Sequence, residues 1–244
     1  GFHSVMCNDL VPEADDYWDW LKEKVGPTAH ERSHGVDANG WTARTWNLDE
    51  YLHPTNWTIA TALEMLRRRD PTKPFFLWVS CMRPHSPYDP PEFFWDMYAG
   101  RPQPAVPVGD WADRYAAPNP GLDRRAWYGK LTDEQTYRAR AAYMGVVTHI
   151  DYQFGYLMER LALDRLLDNT LIVFVADHGD MLGDHNLHRK TYAYEGSARI
   201  PFLLRYPSWY EGPVGRFEPV VGKQDVMPTI LDILGIPGPE GMTG

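Results

Sequence analysis

The stretch Leu171-Ile-Val-Phe-Val-Ala-Asp-His-Gly-Asp-Met-Leu-Gly-Asp-His185 decides the fold of this chain. It opens with an unbroken apolar run of strand length, which predicts a β-strand buried on both faces. At Asp177 the run changes abruptly to charged residues and glycine. Buried strands that end in polar clusters are typical of open α/β sheets, in which ligands bind beyond the carboxyl ends of the strands.

Helical and strand patterns alternate on both sides of this stretch. Two further strands are predicted over Pro74–Ser80, buried on both faces, and Ile200–Tyr206. Helices are predicted over Ala14–Lys24, Thr55–Arg69 with Thr55 as cap, Thr132–Leu163 with Thr132 and Gln135 as a capping box, and Asp225–Leu234 with Asp225 as cap. The alternation predicts an α/β fold, a three-layer sandwich around a largely parallel central sheet, with residues 1–244 as a single domain.

Composition excludes some classes of function. The formal net charge of −9 argues against a nucleic-acid-binding protein, which needs a basic surface to displace counterions. No apolar run approaches the roughly 20 residues of a membrane span. Cys7 and Cys81 are the only cysteines, so neither a disulfide framework nor a cysteine-based zinc site is expected. The compartment stays open between periplasmic, extracellular and cytoplasmic.

The first chemical cluster follows the predicted strand at 171–176. Asp177 leaves the strand beside His178, and the turn at Gly179 lets both side chains reach one ion. A carboxylate oxygen and an imidazole nitrogen suit a divalent cation such as Ca²⁺, Mg²⁺ or Mn²⁺ better than a closed structural zinc site. The same segment continues with Asp180, Asp184, His185, His188, Arg189 and Lys190.

The second cluster, Arg83-Pro-His-Ser-Pro87, follows the predicted strand at 74–80. In a parallel sheet the two clusters would meet at one edge, which gives an acidic protein a local set of cationic groups for an anion. We expect Lys190 and His85 to supply positive charge and hydrogen bonds to the oxygens of a sulfuryl or phosphoryl group.

Several segments together carry a resemblance to a known family. They are Phe174–His185 with Lys190, Tyr194–Gly196 and Arg199–Pro201; Lys73–Phe76 with Arg83–Tyr88; Ala142-Tyr143 with His149–Asp151; and Asp225–Gly235. In order and spacing they resemble the sulfatase family of the alkaline phosphatase superfamily, over roughly residues 55–242. The resemblance implies an alkaline-phosphatase-like fold.

The resemblance also implies roles for individual residues. Asp177 and His178 match two ligands of a divalent cation, which is usually calcium in sulfatases. Lys190 matches the lysine that contacts the sulfate and assists the leaving group. His85 matches the histidine that binds the sulfate ester or helps to protonate the leaving oxygen.

Four further residues are predicted to belong to the site. Arg83 and His188 are predicted to bind substrate. Asp184 and His185 are predicted to form hydrogen bonds to the residues that bind the metal, without binding the metal themselves.

The sequence also departs from the family pattern. Neither Cys7 nor Cys81 lies in the Cys/Ser-x-Pro/Ala-x-Arg motif that family members convert to formylglycine, so that nucleophile is not present in this chain. An N-terminal Asp-Asp metal pair and a small C-terminal antiparallel subdomain are also missing. We therefore expect a catalytic-domain fragment, truncated at both ends, that is inactive alone, binds metal weakly and self-associates through exposed strand edges.

Three functions remain open from the sequence. The first is hydrolysis of a small-molecule or glycan sulfate ester. The second is hydrolysis of a phosphonate monoester or phosphodiester on the same scaffold, since both ester types carry one negative charge. The third is a non-catalytic module in which tryptophan-rich loops bind a glycan.

Overall fold

The computed structural model describes residues 2–8, 15–116, 123–190 and 192–242. The described residues form six α-helices and two β-strands. The helices are α1 (Asp16–Val25), α2 (Pro54–Arg68), α3 (Glu92–Asp96), α4 (Asp133–Leu163), α5 (Glu195–Ala198) and α6 (Val226–Ile233), and the strands are β1 (Ile172–Val175) and β2 (Phe202–Arg205).

The chain divides into two compact units. The first comprises Gly1–Arg160 with Gly179–Arg199, and the second comprises Leu161–His178 with Ile200–Gly244. The single domain expected for residues 1–244 stays a prediction. No helix in the described ranges is long and apolar enough to cross a membrane.

Helix α1 anchors the main core of the first unit. The Asp15 side chain caps the helix by accepting a hydrogen bond from the Trp18 backbone N–H at 2.9 Å. The helix buries Tyr17 and Leu21 against Trp46 and Trp57. Tryptophans of the N-terminal region therefore fill a hydrophobic core, which counts against the glycan-binding interpretation of these residues.

Helix α2 begins one residue earlier than predicted, and the predicted cap is wrong. Pro54 occupies the first turn, where its missing N–H needs no partner. The cap is His53, whose Nδ1 accepts a hydrogen bond from the Thr55 backbone N–H at 3.1 Å. An imidazole nitrogen thus takes the place of the hydroxyl oxygen expected from Thr55.

Helix α4 confirms the predicted capping box. The Thr132 backbone N–H donates to Gln135 Oε1 at 2.9 Å, and the Gln135 backbone N–H donates to Thr132 Oγ1 at 3.2 Å. The buried residues Ala139 and Ala142 pack with Tyr88. Their small side chains leave room for the Tyr88 ring beside the helix.

Helix α6 confirms a predicted helix but not its cap. The Asp225 carboxylate accepts a hydrogen bond from the Gly222 backbone N–H at 2.6 Å and does not cap the N–H groups of α6. Asp225 ends a short 3₁₀ turn that leads into the helix. Gly235 follows the helix with a φ of 65°, which favours glycine.

The strand prediction is confirmed in part. β1 and β2 lie inside the predicted segments, but they pair antiparallel, with Val173 opposite Leu204. The predicted burial of the first strand on both faces is wrong, because Val175 is exposed and the rest of β1 is only partly buried. Residues 74–80 do not form a strand, and their exposed aromatic residues Phe76 and Trp78 contradict burial on both faces. A strand needs a neighbour for its backbone hydrogen bonds, and in the described ranges only β1 and β2 form a sheet.

Candidate functional site

The first unit brings His85 and Lys190 into contact. Lys190 Nζ lies within hydrogen-bond reach of His85 Nε2. The other ring nitrogen, Nδ1, is 2.8 Å from the carbonyl oxygen of Ser86 and can only donate to it. Nδ1 therefore carries a proton, and in the neutral imidazole the Nε2 lone pair faces the lysine. The expected meeting of the two clusters is observed for these two residues.

A tight backbone arrangement holds Lys190 in place. The Ser197 hydroxyl donates to the Lys190 carbonyl at 2.8 Å, and the Gly179 backbone N–H donates to the Ser197 carbonyl at 2.7 Å. A Cβ at Gly179 would lie 2.2 Å from the Gly196 carbonyl oxygen, so only glycine allows this approach. The Asp-His-Gly motif thus fixes the backbone around Lys190 through its glycine.

Arg83 lies inside the protein, with only 2% of its surface exposed. Its Nε and Nη2 bind Asp89 Oδ1 and Oδ2 at 2.7 and 2.8 Å, which is a bidentate salt bridge. Substrate binding by Arg83 stays a prediction, and the buried pairing supports a structural role instead.

Charges control the protonation of this buried pair. Burial alone would raise the pKa of Asp89, but the Arg83 guanidinium, a hydrogen bond from His34 and the nearby His53 ring hold the pKa well below its usual range. Burial alone would lower the pKa of Arg83, but Asp89 keeps the pKa above its usual value. Both groups are therefore charged inside the core.

His188 is also buried, with 2% of its surface exposed. Its Nε2 lies 3.0 Å from the Gly129 carbonyl oxygen, and its backbone N–H donates to the Trp127 carbonyl at 2.8 Å. Burial lowers the pKa of His188, which favours the neutral imidazole. In this structure His188 forms hydrogen bonds to the 127–129 segment. A substrate-binding role for His188 stays a prediction.

Asp184 and His185 contact other parts of the first unit. Asp184 Oδ1 lies 3.0 Å from Arg140 Nη1, in a salt bridge to helix α4. His185 Nδ1 accepts a hydrogen bond from the Gly109 backbone N–H at 3.0 Å. Their predicted support of metal ligands stays a prediction, since Asp177 and His178 belong to the other unit.

Asp177 and His178 follow the carboxyl end of β1, as the sequence predicts. The Asp177 side chain is 80% exposed and its Oδ2 lies 3.4 Å from His178 Nε2. A carboxylate oxygen and an imidazole nitrogen are donors that a divalent cation accepts, so these two side chains would hold the ion together. Within the described ranges, no cluster of three or more His, Cys, Asp or Glu residues could hold a metal ion.

Aromatic side chains near Lys190 in the sequence pack against aromatic residues from 111–128. We name this set the aromatic patch: Trp111, Tyr115, Tyr128, His185, Tyr192 and Tyr194. Trp111 stacks on Tyr194 at 4.9 Å between ring centroids and lies 4.6 Å from the tilted His185 ring. The Tyr115 ring lies 6.0 Å from both Tyr128 and Tyr192. Tyr192 follows Lys190 by two residues, which places their Cα atoms within about 8 Å of each other.

Sequence reasoning missed Asp89 and the packing that brings the residues of the aromatic patch together. Asp89 follows Arg83 by six residues in a proline-rich segment, where a lone carboxylate is a signal for a local salt bridge. The patch draws on separate parts of the chain, from Trp111 to Tyr194. Only the high tyrosine and tryptophan content near residues 110–128 and 192–194 hinted at it.

The sequence is similar to known proteins along almost its whole length. The family profile described as sulfatase matches residues 16–236. An arylsulfatase of Clostridium perfringens (strain 13 / Type A) is 42% identical over 261 residues, which cover 100% of this chain and 54% of the relative. A choline-sulfatase of Rhizobium meliloti (strain 1021) is 30% identical over 246 residues, which cover 97% of this chain and 47% of the relative.

A solved structure extends the comparison to the fold. The phosphonate monoester hydrolase of Silicibacter pomeroyi superposes with a TM-score of 0.75 at 25% identity, covering 100% of this chain and 51% of that chain. The chain thus spans about half the length of the curated relatives that it matches.

Proposed function

Because this chain belongs to the sulfatase family, we propose that the protein hydrolyses sulfate esters. The observation that carries the proposal is the contact between Lys190 and His85, two residues that lie 105 positions apart in the sequence. Contact between an ammonium group and an imidazole has little structural benefit by itself. Nε2 accepts from the ammonium group while the imidazole is neutral; once protonated, it becomes a second donor beside Lys190, and two such donors suit the binding of an oxyanion.

The two residues have distinct parts in the proposed reaction. The Lys190 ammonium group binds a sulfuryl oxygen and offsets the negative charge of the ester. As an attacking oxygen that this sequence does not supply forms the new bond to sulfur, the bond from sulfur to the bridging oxygen breaks. His85, protonated on both ring nitrogens before this step, gives its Nε2 proton to the bridging oxygen and becomes neutral, while Nδ1–H keeps its hydrogen bond to the Ser86 carbonyl. The formylglycine nucleophile implied by the family resemblance would come from a motif that this sequence does not contain.

We further propose that Asp177 and His178 would hold a divalent cation, with Ca²⁺ as the first candidate. Asp177 Oδ2 and His178 Nε2 lie 3.4 Å apart, and a cation held by them would supply positive charge. Ca²⁺ takes 6–8 oxygen ligands, so the pair accounts for only part of a shell.

We expect calcium to stabilise the isolated chain only weakly. With two ligands the dissociation constant should be about 1 mM or higher, so 1 mM Ca²⁺ adds at most about 0.4 kcal/mol to the free energy of unfolding. Thermal unfolding with and without Ca²⁺ measures this, with Asp177→Ala as the control. A large rise in Tm at micromolar Ca²⁺ would contradict the expectation.

The substrate is proposed to be a small-molecule or glycan sulfate ester, and no nucleic-acid partner is proposed. Tyr192 of the aromatic patch follows Lys190 by two positions, and we propose that the patch receives the alcohol part of the ester. Flat aromatic side chains favour a planar leaving group, because stacked rings gain about 0.5–1.5 kcal/mol beyond the burial of their surface.

Trp111→Ala should therefore separate two kinds of substrate. We expect KM for an aryl sulfate to rise about fivefold, with little change for an alkyl sulfate of similar size. Steady-state kinetics of the full-length protein measure both values. Trp78→Ala, which removes a tryptophan that is 70% exposed, is the matched control. Equal effects on both esters would argue against a stacking role.

Hydrolysis of phosphonate monoesters or phosphodiesters is a second candidate, supported by the structural likeness to a phosphonate monoester hydrolase. One experiment tests both functions. The full-length protein is matured with a formylglycine-generating enzyme and assayed on an aryl sulfate and an aryl phosphodiester. Faster sulfate cleavage supports the first candidate, and faster diester cleavage supports the second. Activity on neither ester favours the non-catalytic binding module.

The three-layer sandwich with a largely parallel sheet is proposed for the protein as a whole. The sulfatase family match and the structural likeness support an alkaline-phosphatase-like α/β fold. The short antiparallel pair of β1 and β2 would be one part of that larger sheet.

A further inference from the structure

The segment that carries His85 lies between two residues that bind each other. Arg83 and Asp89 form a bidentate salt bridge whose side chains are both fully buried. We name this salt bridge the clamp. It closes the base of the five-residue loop 84–88, and His85 lies inside that loop.

Two histidines also lie close to the Asp89 carboxylate. His34 Nε2 lies 3.1 Å from Asp89 Oδ2, and His53 Nε2 lies 3.8 Å from Oδ1. All these side chains are buried, so Asp89 cannot turn away without leaving the Arg83 charge uncompensated in the core. The base of the loop is therefore rigid.

Backbone contacts fix the rest of the loop. The Ser86 hydroxyl donates to the Ala38 carbonyl at 2.9 Å, and the Arg44 backbone N–H donates to the Tyr88 carbonyl at 3.2 Å. The Ser86 carbonyl also accepts the hydrogen bond from His85 Nδ1–H. The loop thus presents the acceptor that selects the tautomer of His85.

Tyr88 joins this loop to the segment that carries Lys190. Its hydroxyl donates to Asp180 Oδ2 at 2.7 Å, and the neighbouring Met181 backbone N–H donates to the Arg189 carbonyl at 2.8 Å. Burial and the Asp180 carboxylate raise the pKa of Tyr88 well above its usual value, so the hydroxyl remains a donor. One hydrogen bond therefore couples the surroundings of both site residues.

We propose that Arg83, Asp89 and Tyr88 are positioning residues that hold the His85 imidazole with Nδ1 on the Ser86 carbonyl and Nε2 toward Lys190. The consequence for catalysis rests on the proposed function, whereas the orientation of the ring rests on the structure alone. None of the three needs to touch substrate, because a displacement of about 1 Å in a reacting group can cost about 100-fold in rate.

The test compares Asp89→Asn and Tyr88→Phe with the matched control Tyr98→Phe. The Tyr98 hydroxyl makes a 2.6 Å hydrogen bond to Thr148 Oγ1, and neither residue belongs to the loop 84–88. Two quantities are measured on the full-length protein: kcat and KM for a sulfate ester, corrected for the folded fraction, and the ¹⁵N chemical shifts of the His85 ring. We expect kcat to fall about tenfold in Tyr88→Phe and about 100-fold in Asp89→Asn, with KM nearly unchanged.

The ring shifts of His85 should move toward a mixture of tautomers in both variants and remain unchanged in Tyr98→Phe. Unchanged His85 shifts, or a wild-type kcat, in the folded variants overturns the proposal. If Asp89→Asn does not fold, Tyr88→Phe alone decides. If the wild-type protein cleaves no sulfate ester, the proposed function fails, and the ring shifts still decide whether these residues position His85.

Discussion

Replacing Lys190 by alanine is expected to lower kcat of the full-length protein for a sulfate ester by about 10²–10³-fold. The ammonium group contacts His85 Nε2 and is positioned by the backbone of the Gly179–Ser197 region. Removing it takes away a fixed positive charge at the point where negative charge develops. Steady-state kinetics with an aryl sulfate measure the effect.

The controls for this prediction use residues of the same chain. Lys73→Ala removes an exposed lysine outside the contact and should leave kcat unchanged. The double variant Lys190→Ala with His85→Ala should lose little more than the stronger single variant, because residues that act as a unit give non-additive losses. Wild-type activity in folded Lys190→Ala would remove Lys190 from the proposed site.

Replacing Arg83 by alanine is expected to destabilise the folded chain by about 3–5 kcal/mol, because Asp89 would remain as a buried charge without its main partner. The double variant Arg83→Met with Asp89→Leu should recover most of this loss, since it removes both charges and keeps much of the volume. Chemical denaturation measures the free energies of unfolding.

An exposed salt bridge provides the control for this second prediction. Arg125 binds Asp37 at 2.6 Å, but the Arg125 side chain is 67% exposed. Asp37→Ala should therefore change stability very little. Comparable losses for Asp37→Ala and Arg83→Ala would show that burial is not what makes the clamp important.

The pH dependence of stability follows from the same pair. The folded pKa of Asp89 lies below its unfolded value of about 3.9. Its contribution is therefore complete above about pH 5 and declines as the pH falls and the unfolded carboxylate takes up a proton. The double variant should lack this part of the acid dependence.

Local patterns in the sequence determined much of this protein. The capping box of Thr132 and Gln135, helix α1 and the strand β1 that precedes Asp177 depend on residues close together in the chain. Their hydrogen bonds and apolar faces repeat with short periods, so a single sequence reveals them. The family resemblance added the expectation that His85 and Lys190 act together.

The tertiary structure decided whether each charged side chain lies inside or outside. Arg83 and His188 read as anion-binding residues in the sequence, yet both are buried with partners inside the protein. Tyr88 meets Asp180 across 92 residues. Such contacts depend on how distant segments pack, and the cost of burying a charge depends on the partner that packing provides. The partner of a buried charge comes from a segment that is distant in the sequence, so a local sequence pattern does not identify it.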